Sequence, residues 1–163
     1  MASRFDLSVD PGLEDVAAEE VRERFAGTGY SPECVERPFD LPGHLEVRLQ
    51  GAAEEVSPFL QQLRSVYYFL RVHESVQLPG DGESLVPLYE RLASVELPEL
   101  EGAESFCVRC RRVGTHPFSS PEVEREAGAV LWKRFGVPVK LRDPACTVRV
   151  DITGSLARVG VLD

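Results

Sequence analysis

The chain has 163 residues, 43% of them hydrophobic and 28% charged, enough for one domain or two small ones and too apolar for a disordered segment. Residues 1–7 show no basic region leading into an apolar run, and no apolar stretch nears the ~18 residues of a membrane span. A soluble, cytoplasmic protein is therefore expected. The net charge of −9 argues against a general nucleic-acid binder until it is divided: residues 1–102 hold 8 Lys and Arg against 20 Asp and Glu (−12), and residues 103–163 hold 10 against 7 (+3).

In chain order, Phe5, Leu7 and Val9 alternate with Asp6, Ser8 and Asp10, which predicts a half-buried strand ending at the turn Asp10-Pro11-Gly12. From Leu13 to Phe25, Leu13, Val16, Ala17, Val21 and Phe25 recur at helical spacing, with Glu14, Asp15, Glu19, Glu20 and Glu23 placed outside. A loose strand at Glu33–Phe39 precedes the turn Leu41-Pro42-Gly43. Leu45, Val47 and Leu49 then alternate in a third strand, residues 52–64 pattern as a helix, and residues 66–73 as a fourth strand. The order is β-α-β-β-α-β, the ferredoxin-like arrangement. The third strand's other face carries His44, Glu46 and Arg48 and no aromatic residue, which excludes a sheet that stacks RNA bases there.

The run Leu78-Pro79-Gly80-Asp81-Gly82 reads as a linker. A helix is expected over residues 84–95, then an acidic loop over 96–102. Ser105 to Gly136 is the most informative stretch. Phe106, Val108 and Cys110 fall on one face of a strand, and Arg109 and Arg111 on the other. After a tight loop, Ser119 and Ser120 can cap a helix with Pro121 in its first turn, and Gly136 stops it. A cationic strand feeding a helix N-terminus offers side-chain charge and free backbone N–H groups to a phosphate. A short extended piece at 137–141, a strand at 147–153 and its hairpin mate at 157–162 complete the chain.

The four cysteines are Cys34, Cys107, Cys110 and Cys146. Cys107 and Cys110 sit within a strand pattern, where an offset of three points them to opposite faces, so free thiols are expected in preference to zinc.

The segment from Phe106 through Arg112, Gly114-Thr115-His116-Pro117-Phe118-Ser119-Ser120-Pro121 and on to Glu126 resembles a THUMP domain, as do residues 140–144 and 148–152. Residues 10–20 resemble the N-terminal ferredoxin-like half that accompanies THUMP in RNA guanine-N2 methyltransferases. The resemblance implies an α+β chain, a ferredoxin-like domain over 1–75 followed by an α/β THUMP domain over 76–163. It also implies an RNA-binding module that grips a tRNA acceptor stem and its single-stranded 3′ CCA end. Such a module works beside a Rossmann-type methyltransferase domain that uses S-adenosylmethionine, in cis or in trans. Carried over by position, Arg111, Arg112, Thr115, His116, Phe118, Ser119 and Ser120 are the RNA-binding candidates, with Lys133 and Arg134 flanking; the strand pattern adds Arg109. Asp143-Pro144-Ala145-Cys146 only partly matches a methyltransferase catalytic loop and reads as a turn. The sequence through Asp163 leaves no room for a Rossmann domain, so the chain reads as the front of a longer enzyme or a stand-alone adaptor.

Other roles for these residues stay open. The arginines fit the solvated face of an edge strand as well as an RNA contact. His116 fits loop shaping or phosphate contact better than catalysis. Phe118 fits a base platform or a loop anchor, and Trp132 the core or its rim. The competing function is an acidic adaptor that binds a partner RNA-modifying enzyme and not RNA. No catalytic or metal-ligating residue is assigned.

Overall fold

A computed structural model describes residues 2–80 and 82–162; Asp81, within the expected linker, lies outside the described residues. The fold is mixed α+β. It forms two compact units, one up to Val72 and one from His73 to Leu162. Among the described residues no helix is long and apolar enough to cross a membrane.

The first unit contains β1 (Ala2–Val9), α1 (Glu14–Phe25), β2 (Glu33–Glu36), β3 (His44–Gln50), α2 (Ala53–Leu60) and the first part of β4 (Val66–Gln77). Its strands lie in the order β2-β3-β1-β4, all antiparallel. Phe5, Leu7, Leu45, Val47 and Leu49 point from the alternating strands into a core closed by Ala17, Ala18, Val21 and Phe25 of α1 and Val56 and Leu60 of α2.

Three expectations change here. Glu14, read as an outward acid, is buried, whereas Leu13 and Val16, read as inward, are 42% and 50% exposed. The helix has turned its 14/17/18/21/25 stripe to the sheet, and Glu14 is accepted there because its carboxylate receives the Gly12 N–H (2.9 and 3.0 Å), the Gly43 N–H (3.4 Å) and Arg37 Nε (3.3 Å). Those donors, the Gly12 amide foremost, hold the Glu14 carboxyl at about 2. The expected strand Glu33–Phe39 stops at Glu36: Arg37, Phe39 and Asp40 take positive φ, and Pro38–Asp40 form a 3-10 turn. His44 and Glu46 face away from the core but are buried, His44 Nδ1 lying 2.9 Å from Asp6 and Glu46 between Arg4 (3.5 Å) and Arg48 (2.8 Å).

The second unit contains the end of β4, α3 (Val86–Leu92), β5 (Phe106–Val113), α4 (Ser120–Phe135), β6 (Cys146–Thr153) and β7 (Leu156–Leu162). β4 extends past His73 to Gln77, and Leu78 is a buried core residue whose N–H is donated to Ser155 O at 2.7 Å. The helix expected over 84–95 is confined to Val86–Leu92. β5 and β6 run parallel, as strands joined through a helix must, and β7 returns antiparallel beside β6. Phe106, Val108, Val148, Val150, Ile152 and Val159 face Leu88 and Leu92 of α3 and Val123, Ala127 and Leu131 of α4.

Candidate nucleic-acid interface

The candidate site grows from β5 and the loop behind it. β5 pairs with β6 on one side and ends the strand order β7-β6-β5; its Phe106, Cys107 and Val108 are buried, and Arg109, Arg111 and Val113 are exposed. Alternation divides its arginines. Arg112 belongs to the face packed on α4, while Arg109 and Arg111 are exposed and belong to the opposite face. In register with them lie Arg149 and Asp151 of β6, and opposite Asp151 stands Arg158 of β7. Arg149 donates to Asp151 Oδ1 through Nε (3.2 Å) and Nη2 (3.0 Å), so this inner part of the basic face is internally paired.

At the end of β5 the chain turns at Gly114 (φ 109°), where the Gly154 N–H reaches Val113 O at 3.1 Å. Arg112 organises the loop beyond this turn. Its Nε donates to Ser120 Oγ (3.1 Å), its Nη1 to His116 Nδ1 (3.2 Å), and its guanidinium lies 5.8 Å from the centre of the Phe118 ring. His116 Nε2 in turn donates to Gly154 O at 2.8 Å. An arginine always donates and a carbonyl always accepts, so the two contacts select the tautomer with its proton on Nε2. The His116 and Phe118 rings lie 5.0 Å apart. Gly82 covers them: a Cβ there would come within 3.3 Å of both rings, at a φ of 83°. Phe118 packs against the core, the anchor role left open by the sequence.

Ser119 caps α4 as expected, in a full capping box: the Glu122 N–H is donated to Ser119 Oγ (3.2 Å) and the Ser119 N–H to Glu122 Oε2 (3.4 Å). That box changes the chemistry foreseen for this end of the helix. Pro121 has no N–H, the Ser119 and Glu122 amides are engaged, and a carboxylate stands at the cap, so this helix end is a weaker anion site than the sequence pattern implies.

The ten sequence candidates therefore do not form one cluster. Arg112, His116, Phe118 and Ser120 form a single network, with Thr115 exposed on the loop above it and Ser119 beside it. Arg109 and Arg111 continue along β5. Lys133 and Arg134 lie in the last turn of α4, about 20 Å along the helix from Ser119 at 1.5 Å per residue. Arg134 is also engaged within the unit, its Nη1 donating to Leu92 O (3.0 Å) and Val95 O and its guanidinium lying 4.5 Å from the Phe135 ring centre.

The four thiols are free. Burial pushes Cys110 and Cys146 up to about 11, which keeps both protonated and poorly suited to nucleophilic or metal chemistry.

The THUMP domain family matches residues 83–162. That segment is a THUMP domain. It is 35% identical over 156 residues to a tRNA (guanine(6)-N2)-methyltransferase of Thermus thermophilus, a match covering 96% of this chain and 43% of that protein. The crystal structure of TrmN from Thermus thermophilus superimposes with a TM-score of 0.76 at 36% identity, over 98% of this chain and 45% of that one. A tRNA sulfurtransferase of Haemophilus influenzae is 32% identical over 151 residues, 84% of this chain and 29% of that protein. The chain thus spans less than half the length of these relatives, which act in tRNA modification.

Proposed function

We propose that this chain is an RNA-binding module, directed at the acceptor stem and 3′ CCA end of tRNA, that positions its substrate for a methyltransferase domain supplied in cis or in trans. S-adenosylmethionine is the cofactor of that domain, and the setting is the cytoplasm. The observation that carries the reading is the exposed Arg109–Arg111 row on an edge strand, continued by a loop that Arg112, His116 and Phe118 hold rigid. Arginine on a fixed strand presents bidentate donors to phosphate with little motion left to lose. The module is 1–75 plus 76–163, the second part making the contact.

A second reading, an acidic adaptor for a partner enzyme, draws on the exposed Leu13 and Val16 beside Asp15, Glu19 and Glu23 of α1. Binding of the chain to a labelled tRNA, with and without CCA, across a salt series separates the two. Salt-dependent binding that weakens without CCA supports the RNA module. No binding at low salt would mean that the module needs its methyltransferase domain to bind RNA or that the adaptor reading holds, and a pull-down with that domain separates those two.

A further inference from the structure

We propose that an unstacked nucleotide of single-stranded RNA lodges in an apolar groove on the outer side of α4, its base against Trp132 and its phosphates against the arginines at the groove's edges. The proposal rests on the RNA-binding reading above and adds to it a place for a base.

The groove, about 530 Å³, lies between α4, the first half of β5 and the segment carrying Val139 and Leu141. That volume falls within the range of small-ligand sites, roughly 300–1,000 Å³. It exists because α4 has two stripes. Val123, Ala127 and Leu131 face the core, while Arg125, Gly128, Ala129 and Trp132 recur at i, i+3, i+4 and i+7 beside it. Trp132, Val139 and Leu141 are 57%, 51% and 66% exposed, and all three line the groove. Apolar surface gathered in this way marks a binding site.

Gly128 is the informative residue. It sits inside a helix, where glycine is unfavourable, and its Cβ would meet only Val108 Cγ2, at 4.0 Å, an ordinary contact. Neither backbone conformation nor packing requires glycine. A long side chain there would project into the groove, so its absence keeps the groove open.

Charge and hydrogen bonding select the occupant. Arg109 and Arg125 line the groove, and the acid among them, Glu124, turns its Oε2 to the Cys110 N–H at 2.9 Å. Lys133 adjoins Trp132, and Lys140 and Arg142 flank Leu141, all three exposed. An aromatic face among cations suits a base with its phosphates. An extended peptide finds little ladder to join: Phe106 already pairs with the 138–140 segment (N–H to Pro138 O, 3.0 Å; Lys140 N–H to Phe106 O, 2.8 Å), and Glu124 covers Cys110. Arg109 joins groove and strand. Its Nη2 donates to Leu141 O at 2.7 Å, which holds the guanidinium at the edge, next along the face from Arg111.

Trp132 is the chain's single tryptophan, so its emission reports the groove directly. The intact chain is titrated at low salt with a four-nucleotide single-stranded RNA ending in CCA, following tryptophan emission and, in parallel, the anisotropy of the labelled RNA. Saturable quenching is expected, together with about tenfold weaker binding for Trp132→Ala and Gly128→Leu, within the range of one lost base stack. Gly128→Ala, which fits, is expected to bind as the wild type does, and circular dichroism checks that Gly128→Leu is folded. RNA binding with unchanged emission and unchanged Gly128→Leu affinity would overturn the groove and leave the RNA module standing. No anisotropy change would overturn both. Quenching by an acidic, apolar peptide and not by RNA would assign the groove to a protein partner and overturn the proposal.

Discussion

The two units are built by the same alternation of apolar and polar residues, yet they dispose of their charges in opposite ways. In the first, the charges on the sheet are paired: buried His44 with buried Asp6, and buried Glu46 with the half-buried Arg4 and the exposed Arg48. Along α1 the exposed charge is mainly acidic, Asp15, Glu19 and Glu23 against Arg22. In the second, Arg149 and Asp151 pair inside, but the outermost strand keeps Arg109 and Arg111 exposed. A common sheet grammar thus yields one unit whose polar groups serve stability and one whose polar groups can serve a ligand. Function follows from which charges the edge leaves reachable, not from the topology.

The comparison can be broken first at the cores. Phe5→Ala and Phe106→Ala, both at fully buried positions, are each expected to cost about 3–5 kcal/mol in urea unfolding. Only Phe106→Ala is expected to abolish RNA binding, because the proposed contact is built on β5. Equal loss from Phe5→Ala would mean that the first unit contributes to the contact. At the charges, Arg111→Ala with Arg112→Ala is expected to weaken RNA binding about tenfold at low salt and to flatten its salt dependence, by about 0.7–0.9 in slope for each lost phosphate contact. Glu19→Gln and Arg134→Ala serve as controls and are expected to leave the slope unchanged.

Smaller effects sharpen the contrast. Ser119→Ala removes the cap of α4 and is expected to cost about 1 kcal/mol, with Ser119→Asp restoring it, both read from thermal unfolding. Glu14 makes stability depend on pH in the acid range. Its carboxyl is held at about 2 against an ordinary 4.5, so its stabilising contribution is complete above pH 4.5 and is lost as pH falls towards 2. Glu14→Gln is expected to flatten acid unfolding across that window while leaving RNA binding at neutral pH unchanged.

Much of this was legible in the sequence where the determinants are local. Strict alternation places β1, β3, β5 and β6, and Ser119 and Gly136 bound α4, the latter at φ 68° with its N–H on Trp132 O (2.9 Å). The contiguous loop 112–120 also assembles as one site. Tertiary choices were not legible. Residues 13–25 carry two stripes that both fit a helix, and the donors on Gly12, Gly43 and Arg37 decide that Glu14, not Leu13 or Val16, turns inward. Lys133 and Arg134 look close to the loop in sequence because the helix that carries them away is itself the intervening segment. The groove beside α4 is announced only by small residues, Gly128 and Ala129, whose effect depends on what stands opposite.

Hydrogen exchange of the whole chain, with and without tRNA at low salt, tests the central claim most directly. Protection on tRNA binding is expected across residues 109–120, with the α1 segment 14–25 unchanged. Protection confined to 14–25, or none anywhere despite bound tRNA, would contradict the assignment of the contact to the basic edge of the second unit.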